Sequence, residues 1–118
     1  MAGRAFPRLK KRLLVEFEDA SGTRHTAYTR DFSVTGLYIL SEARPGPGDP
    51  QLVKVHLPRG VAELHGQIAR QAGATGALAA RSDGFAFALA THCDLYTDYV
   101  ALMERMVPEL VRTPVYAR

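Results

Sequence analysis

The sequence has one cysteine, no acid among its first twelve residues, and no apolar run near the length of a membrane span. A lone Cys93 cannot close an internal disulfide or, without companions, build a thiolate metal cluster, so a reducing compartment is expected. Its place beside the start of a helical pattern fits a half-buried structural thiol. Crossing a bilayer as a helix takes about 20 consecutive apolar residues, and no stretch approaches that. The first residues, MAGRAFPRLKKR, contain no apolar run that could form the core of a secretion signal, so a cytoplasmic chain is expected. His25, His56, His65 and His92 are scattered without metal-site spacing, and no metal or cofactor is expected. Signatures of catalysis are also missing. Ser33 lies in no GxSxG elbow and has no base near it in sequence. The glycines of PGPGDP lack the Lys-Ser/Thr of a phosphate-binding loop. A binding protein rather than an enzyme is expected.

The 118 residues, 47% of them apolar, suit a single domain with one core. The net charge of +3 is unevenly placed. Arg4, Arg8, Lys10, Lys11 and Arg12 form a basic arm over residues 1–12, while residues 13–118 carry ten basic and twelve acidic side chains. Local basicity on a nearly neutral body predicts a local anionic partner rather than a general nucleic-acid surface.

After the arm, RLLVEFED puts Leu13, Val15 and Phe17 on one face, the period of a half-buried strand. Asp19 to Gly22 supplies a turn. A return strand is expected over about residues 23–30, rich in Thr and Tyr, running into DFSVTG, where Gly36 permits backbone angles closed to other residues. A third strand follows at Leu37 to Leu40. Residues 42–50, with three prolines and two glycines, read as a loop. QLVKVHLP alternates again, PRG turns, and VAELHGQIARQ places Leu64, Gly66 and Ile68 on one face. Residues 72–84 are small and flexible in composition, and GFAFALA forms the sixth strand with Phe85 and Phe87 inward. Asp94 suits an N-cap for a helix over residues 94–112, which Pro108 should end or kink. Leu95, Tyr99, Leu102 and Met106 recur at helical spacing and are expected to face the barrel, leaving Tyr96 and Met103 off that face. Six short strands and one C-terminal helix predict an all-β domain with one helix: a six-stranded antiparallel barrel with an α-helix packed on it.

Two patterns point to function. Arg8-Leu9-Lys10-Lys11-Arg12 sets two arginines four apart just before the first strand. Asp31-Phe32-Ser33-Val34-Thr35-Gly36 follows about twenty residues later, at the end of the second. Here the sequence resembles the PilZ family, whose signatures are RxxxR and [D/N]xSxxG in this order and at about this spacing. The resemblance extends over almost the whole chain. It implies a PilZ-like barrel that binds cyclic di-GMP through Arg8, Arg12, Asp31, Ser33 and Gly36, and that acts on a protein partner.

The chemistry of the residues agrees with that ligand. Cyclic di-GMP carries two phosphates and two guanines. A guanidinium fork fits both a phosphate and the O6/N7 edge of guanine. A carboxylate at Asp31 accepts from the N1–H and N2–H₂ edge. In an extended segment Asp31 and Ser33 share a face, so both can reach one ligand, and Gly36 lets backbone approach without a Cβ in the way. Arg24 and Arg30 read as solvated or cross-strand paired. The arm, with little to bury alone, is expected to be mobile when free and ordered by the ligand. Two other readings compete. A PilZ-like protein–protein module without nucleotide fits the fold but leaves the intact motifs without a purpose. A single-stranded nucleic-acid barrel wants aromatic and basic residues interleaved on a strand surface, whereas Phe17, Phe85 and Phe87 sit in core registers, so direct nucleic-acid binding is not expected.

Overall fold

The computed structural model describes residues 7–69 and 83–106. Arg4, most of the small-residue segment at 72–84 and the expected last turns of the helix at 107–112 lie outside the described residues. In chain order the elements are β1 (Leu14–Glu18), β2 (Arg24–Ser33), β3 (Gly36–Leu40), β4 (Gln51–Leu57), β5 (Gly60–Ile68), β6 (Phe85–Leu89) and α1 (Asp94–Met106). The strands close into an antiparallel barrel in the order β1-β2-β3-β6-β5-β4.

The alternation in the sequence sets the inward face. Leu13, Val15 and Phe17 are all buried, and Val15 pairs with Ala27 on one side and Val55 on the other, so three small or branched side chains meet in one layer. Phe17 packs edge-on against Phe85, ring centroids 5.7 Å apart, across the barrel interior. The β1–β2 turn is built by Asp19. Its Oδ1 accepts from the backbone N–H groups of Ser21 and Thr23 at 2.8 and 3.0 Å, while Gly22 takes the left-handed conformation at φ +87°.

Strand β2 is longer than the sequence pattern suggests. It continues through Asp31, Phe32 and Ser33, and its register against β3 slips between Thr29, opposite Ile39, and Asp31, opposite Tyr38. Arg30 is the extra residue of a β-bulge. Beside this end of β2 lies the arm. Leu9 is fully buried and exchanges backbone hydrogen bonds with Phe32, its N–H donating to Phe32 O at 2.7 Å and its carbonyl accepting from Phe32 N at 3.1 Å. Further along, Thr29 Oγ1 accepts from Leu13 N and donates to Lys11 O. The arm therefore has more to bury than its composition suggests, and among its described residues the buried side chain is Leu9.

The helix packs by a different face from the expected one. Tyr96 and Val100 are fully buried, with Leu95, Tyr99 and Met103 partly buried around them, whereas Leu102 is 39% and Met106 66% exposed. The Tyr96 hydroxyl decides this: it donates to Ser33 O at 2.7 Å, while the ring lies 6.4 Å from Phe32. Turning Leu102 inward would expose both contacts. Asp94 opens the helix rather than capping it. Cys93 holds the preceding position with its carbonyl accepting from Thr97 N, and the Asp94 carboxylate faces His92 at 2.6 Å.

The packing makes a stability prediction. Val100→Ala deletes two buried methyl groups and should cost at least about 1 kcal/mol of unfolding free energy. Leu102→Ser and Met106→Ser should stay within about 0.5 kcal/mol of the parent. Urea titrations at unchanged m-value will check this. The reverse order would mean that the helix packs by the Leu102 face.

Candidate ligand-binding site

Three described motif residues meet at the junction of the arm, the end of β2 and the start of β3. Arg8, held in place by the neighbouring Leu9 bridge, donates from Nε to Asp31 Oδ1 at 2.9 Å, makes a second contact from Nη2 to the same oxygen, and reaches Ser33 Oγ from Nη1 at 3.3 Å. Asp31 and Ser33 thus share one face of β2 and one partner. The other carboxylate oxygen, Oδ2, accepts from Arg30 Nε at 2.9 Å. Ser33 Oγ also accepts from Thr35 N at 3.3 Å and lies 3.1 Å from Thr35 Oγ1.

The Asp31 side chain is 10% exposed, between Arg8 at 43% and Arg30 at 55%. Burial alone opposes its ionisation. The hydrogen bonds from Arg8 and Arg30 and the charge of both outweigh burial, and they hold the carboxyl below the usual carboxylate range. Asp31 is therefore an anion kept ionised by two guanidinium groups. Beneath it, Tyr96 is so deeply buried that its ionisation is pushed far above that of a free phenol, against the opposing charge of Arg8, so it remains a donor to Ser33 O.

The remaining motif positions behave differently. Arg12 is exposed and makes no hydrogen bond or ion pair among the described residues. It follows the Leu9 anchor and precedes β1. Gly36 does not use its conformational freedom, since its φ is not positive. It is needed for close approach: a Cβ there would sit 2.4 Å from the carbonyl oxygen of Phe87 on β6. Gly36 therefore allows the close β3–β6 contact, and it pairs with Ser33 across β2 and β3. Arg30 is the residue that sequence reasoning missed. It is cross-strand paired, its guanidinium 3.9 Å from the centre of the Tyr38 ring, but it also grips the motif carboxylate. Its adjacency to Asp31 in Arg30-Asp31 was the available signal. Strict alternation would send the two to opposite faces, and only the bulge brings them together.

Two clefts lie elsewhere. One of about 550 Å³ runs between the β1–β2 turn and the proline-rich loop, past Asp19, Arg24, Pro47 and Lys54, and one of about 330 Å³ lies between α1 and the β4–β5 turn. Neither includes a motif residue. The motif forms an open ledge of charge on the barrel surface, suited to a polar ligand that lies across it.

Over residues 3–96 the sequence matches the family model described as PilZ domain. The chain belongs to the PilZ family. PilZ domains generally act as cyclic di-GMP-binding effectors, a binding and adaptor family rather than a catalytic one. Among solved structures, the chain is similar to one described as the crystal structure of the PilZ domain of CeSA from a cellulose-synthesizing bacterium. That match has 18% identity, a TM-score of 0.49, and covers 86% of this chain and 97% of that one. No curated protein matches the chain. In PilZ terms the RxxxR arginine Arg8 and the DxSxxG residues Asp31 and Ser33 stand within hydrogen-bond reach of each other.

The ion pair makes stability depend on pH in a definite direction. With the folded pKa of Asp31 depressed, its contribution is fully present above the unfolded value of about 3.9 and fades as pH falls through the folded value. Asp31→Asn should therefore be less stable than the parent at pH 7, and the gap should close below about pH 4. Thermal melts of both proteins from pH 7 to pH 3 will show it. A gap that is constant over that range would mean that the Asp31 pKa is the same in the folded and unfolded chain, so that the two arginines do not favour its ionised form.

Proposed function

We propose that this PilZ domain is a cyclic di-GMP-binding effector that does no chemistry on the nucleotide, and that binding orders its N-terminal arm and changes the surface offered to a protein partner. The observation that carries the reading is the state of Asp31, a nearly buried carboxylate whose oxygens are both held by arginines. Each member of this pair matches an edge of the ligand. Guanidinium groups fit a phosphate or the O6/N7 edge of guanine, and the carboxylate fits the N1–H and N2–H₂ edge. Binding exchanges one Arg8–Asp31 pair for two pairs with the ligand, so neither charge is left unpartnered. Ser33 adds a hydroxyl on the same face, and the exposed Arg12 provides the second fork.

The arm closes around its Leu9 anchor. The Leu9–Phe32 bridge and the bond from the Thr29 hydroxyl to Lys11 O hold the backbone, while the side chains of Arg8, Lys10, Lys11 and Arg12 are exposed and of like charge. Two ligand phosphates neutralise that repulsion and give the arginines fixed partners, which offsets the cost of ordering the segment. The charged surface on which a partner docks changes with it.

Two experiments test the reading. Calorimetric titration should show binding of cyclic di-GMP but not of GTP or a short oligonucleotide. Charge-assisted hydrogen bonds contribute roughly 1.5 to 3 kcal/mol, so Arg8→Ala or Arg12→Ala should weaken binding at least about tenfold, with Lys10→Ala much milder. Asp31→Ala should cost affinity for cyclic di-GMP far more than for cyclic di-AMP. Parent-like binding by both arginine variants would remove the site assignment. In hydrogen exchange, the Leu9 amide should be protected without ligand, and the amides of Lys10 to Arg12 should slow only with it. Protection of the whole arm in the free protein would point to a preformed pocket in place of a switch.

A further inference from the structure

The third arginine of the site is not part of either motif, and its geometry differs from that of Arg8. Arg8 grips Asp31 from the arm and is already committed to Asp31 and Ser33. Arg30 projects from the bulge in β2, with Nε tied to Asp31 Oδ2 at 2.9 Å and its guanidinium stacked over the Tyr38 ring at 3.9 Å. Tyr38 stands directly across from Asp31 in the β2–β3 register, and its hydroxyl donates to Asp83 Oδ1 at 3.2 Å. Ring and guanidinium are therefore fixed at both ends, to Asp83 and to Asp31. With its Cζ over the Tyr38 ring and its side chain still 55% exposed, the guanidinium is accessible beside the motif carboxylate.

A flat cation held on an aromatic ring next to a guanine-reading carboxylate is a seat for a base. Arginine guanidinium planes stack on aromatic faces, and bases stack on guanidinium groups as well as on rings. We propose that Arg30, held flat by Tyr38, receives the face of one guanine of the ligand, making a three-layer stack of Tyr38, Arg30 and base. This rests on the cyclic di-GMP reading above and extends it. Asp31 recognises an edge, which selects guanine, whereas Arg30 recognises a face, which any purine has. Affinity and selectivity at this site are then set by different residues, and Arg30 distinguishes this chain from one that carries the two motifs alone.

The test separates face from edge. Arg30→Lys keeps the charge beside Asp31 but loses the plane. It should bind cyclic di-GMP at least about fivefold more weakly, since stacking contributes roughly 1 to 3 kcal/mol per base. Tyr38→Leu should lose a similar factor, and Tyr38→Phe should bind within about twofold of the parent. If Arg30 only positioned Asp31, Arg30→Lys would narrow the preference for cyclic di-GMP over cyclic di-AMP. Stacking predicts equal proportional losses for both. As a second readout, the ¹⁵N–¹H signal of Arg30 Nε should move upfield when cyclic di-GMP is added to the parent, from the ring current of the base above it. If the parent binds but Arg30→Lys binds equally well, or the Nε signal stays in place, the stack is overturned and the ligand assignment stands. If the parent does not bind cyclic di-GMP, both fail together.

Discussion

The carboxylate of Asp31 joins the arm to the barrel. It sits where burial disfavours charge, and it stays charged because guanidinium groups approach from two directions, one from the arm and one from its own strand. Arg8 reaches it only because Leu9 anchors the arm on Phe32, and Arg30 reaches it only because β2 bulges between Thr29 and Asp31. Without either device, a nearly buried anion would lose a partner, which is costly wherever solvent is largely excluded. Arm, bulge and acid are mutually dependent, and the proposed ligand-recognition chemistry rests on them.

Beneath this ledge the site is tied to the core. The Tyr96 hydroxyl grips the Ser33 carbonyl from α1, Gly36 lets β3 lie close against β6, and Phe32 is enclosed by Leu9 on one side and the rings of Tyr96 and Tyr99 on the other. Ser33, Asp31 and the backbone between them are therefore held by the core, while Arg8, Arg12 and Arg30 project into solvent. A carboxylate held by the core suits a binding module, since the geometry of its acceptor oxygens is set in advance.

Much of this was legible in the residues. The inward registers of Val15, Phe17, Phe85 and Phe87 follow from period-two alternation, and the two motifs mark the arm and the β2–β3 corner. Three features were not legible, each for its own reason. The helix carries two apolar stripes, Leu95-Tyr99-Leu102-Met106 and Tyr96-Val100-Met103. Periodicity establishes that there is a helix but not which stripe turns inward, and a hydrogen bond from Tyr96 to a strand 63 residues away in sequence decided it. The bulge at Arg30 depends on pairing with β3, which no local pattern of β2 encodes. Leu9 is a single apolar residue among four basic ones, with no period to announce that it is buried. At Gly36 the absent Cβ is used against the backbone of β6, and no unusual backbone angle is adopted.

The central claim is an exchange of partners at one carboxylate, with Arg8 leaving Asp31 for the nucleotide while a guanine edge takes its place. A crystal structure of the protein with cyclic di-GMP tests it most directly. It should show the Arg8 guanidinium on a phosphate or on a guanine O6/N7 edge, and an oxygen of Asp31 within about 3 Å of guanine N1 or N2. An Arg8–Asp31 pair left intact, with the nucleotide bound elsewhere on the barrel, would contradict the account.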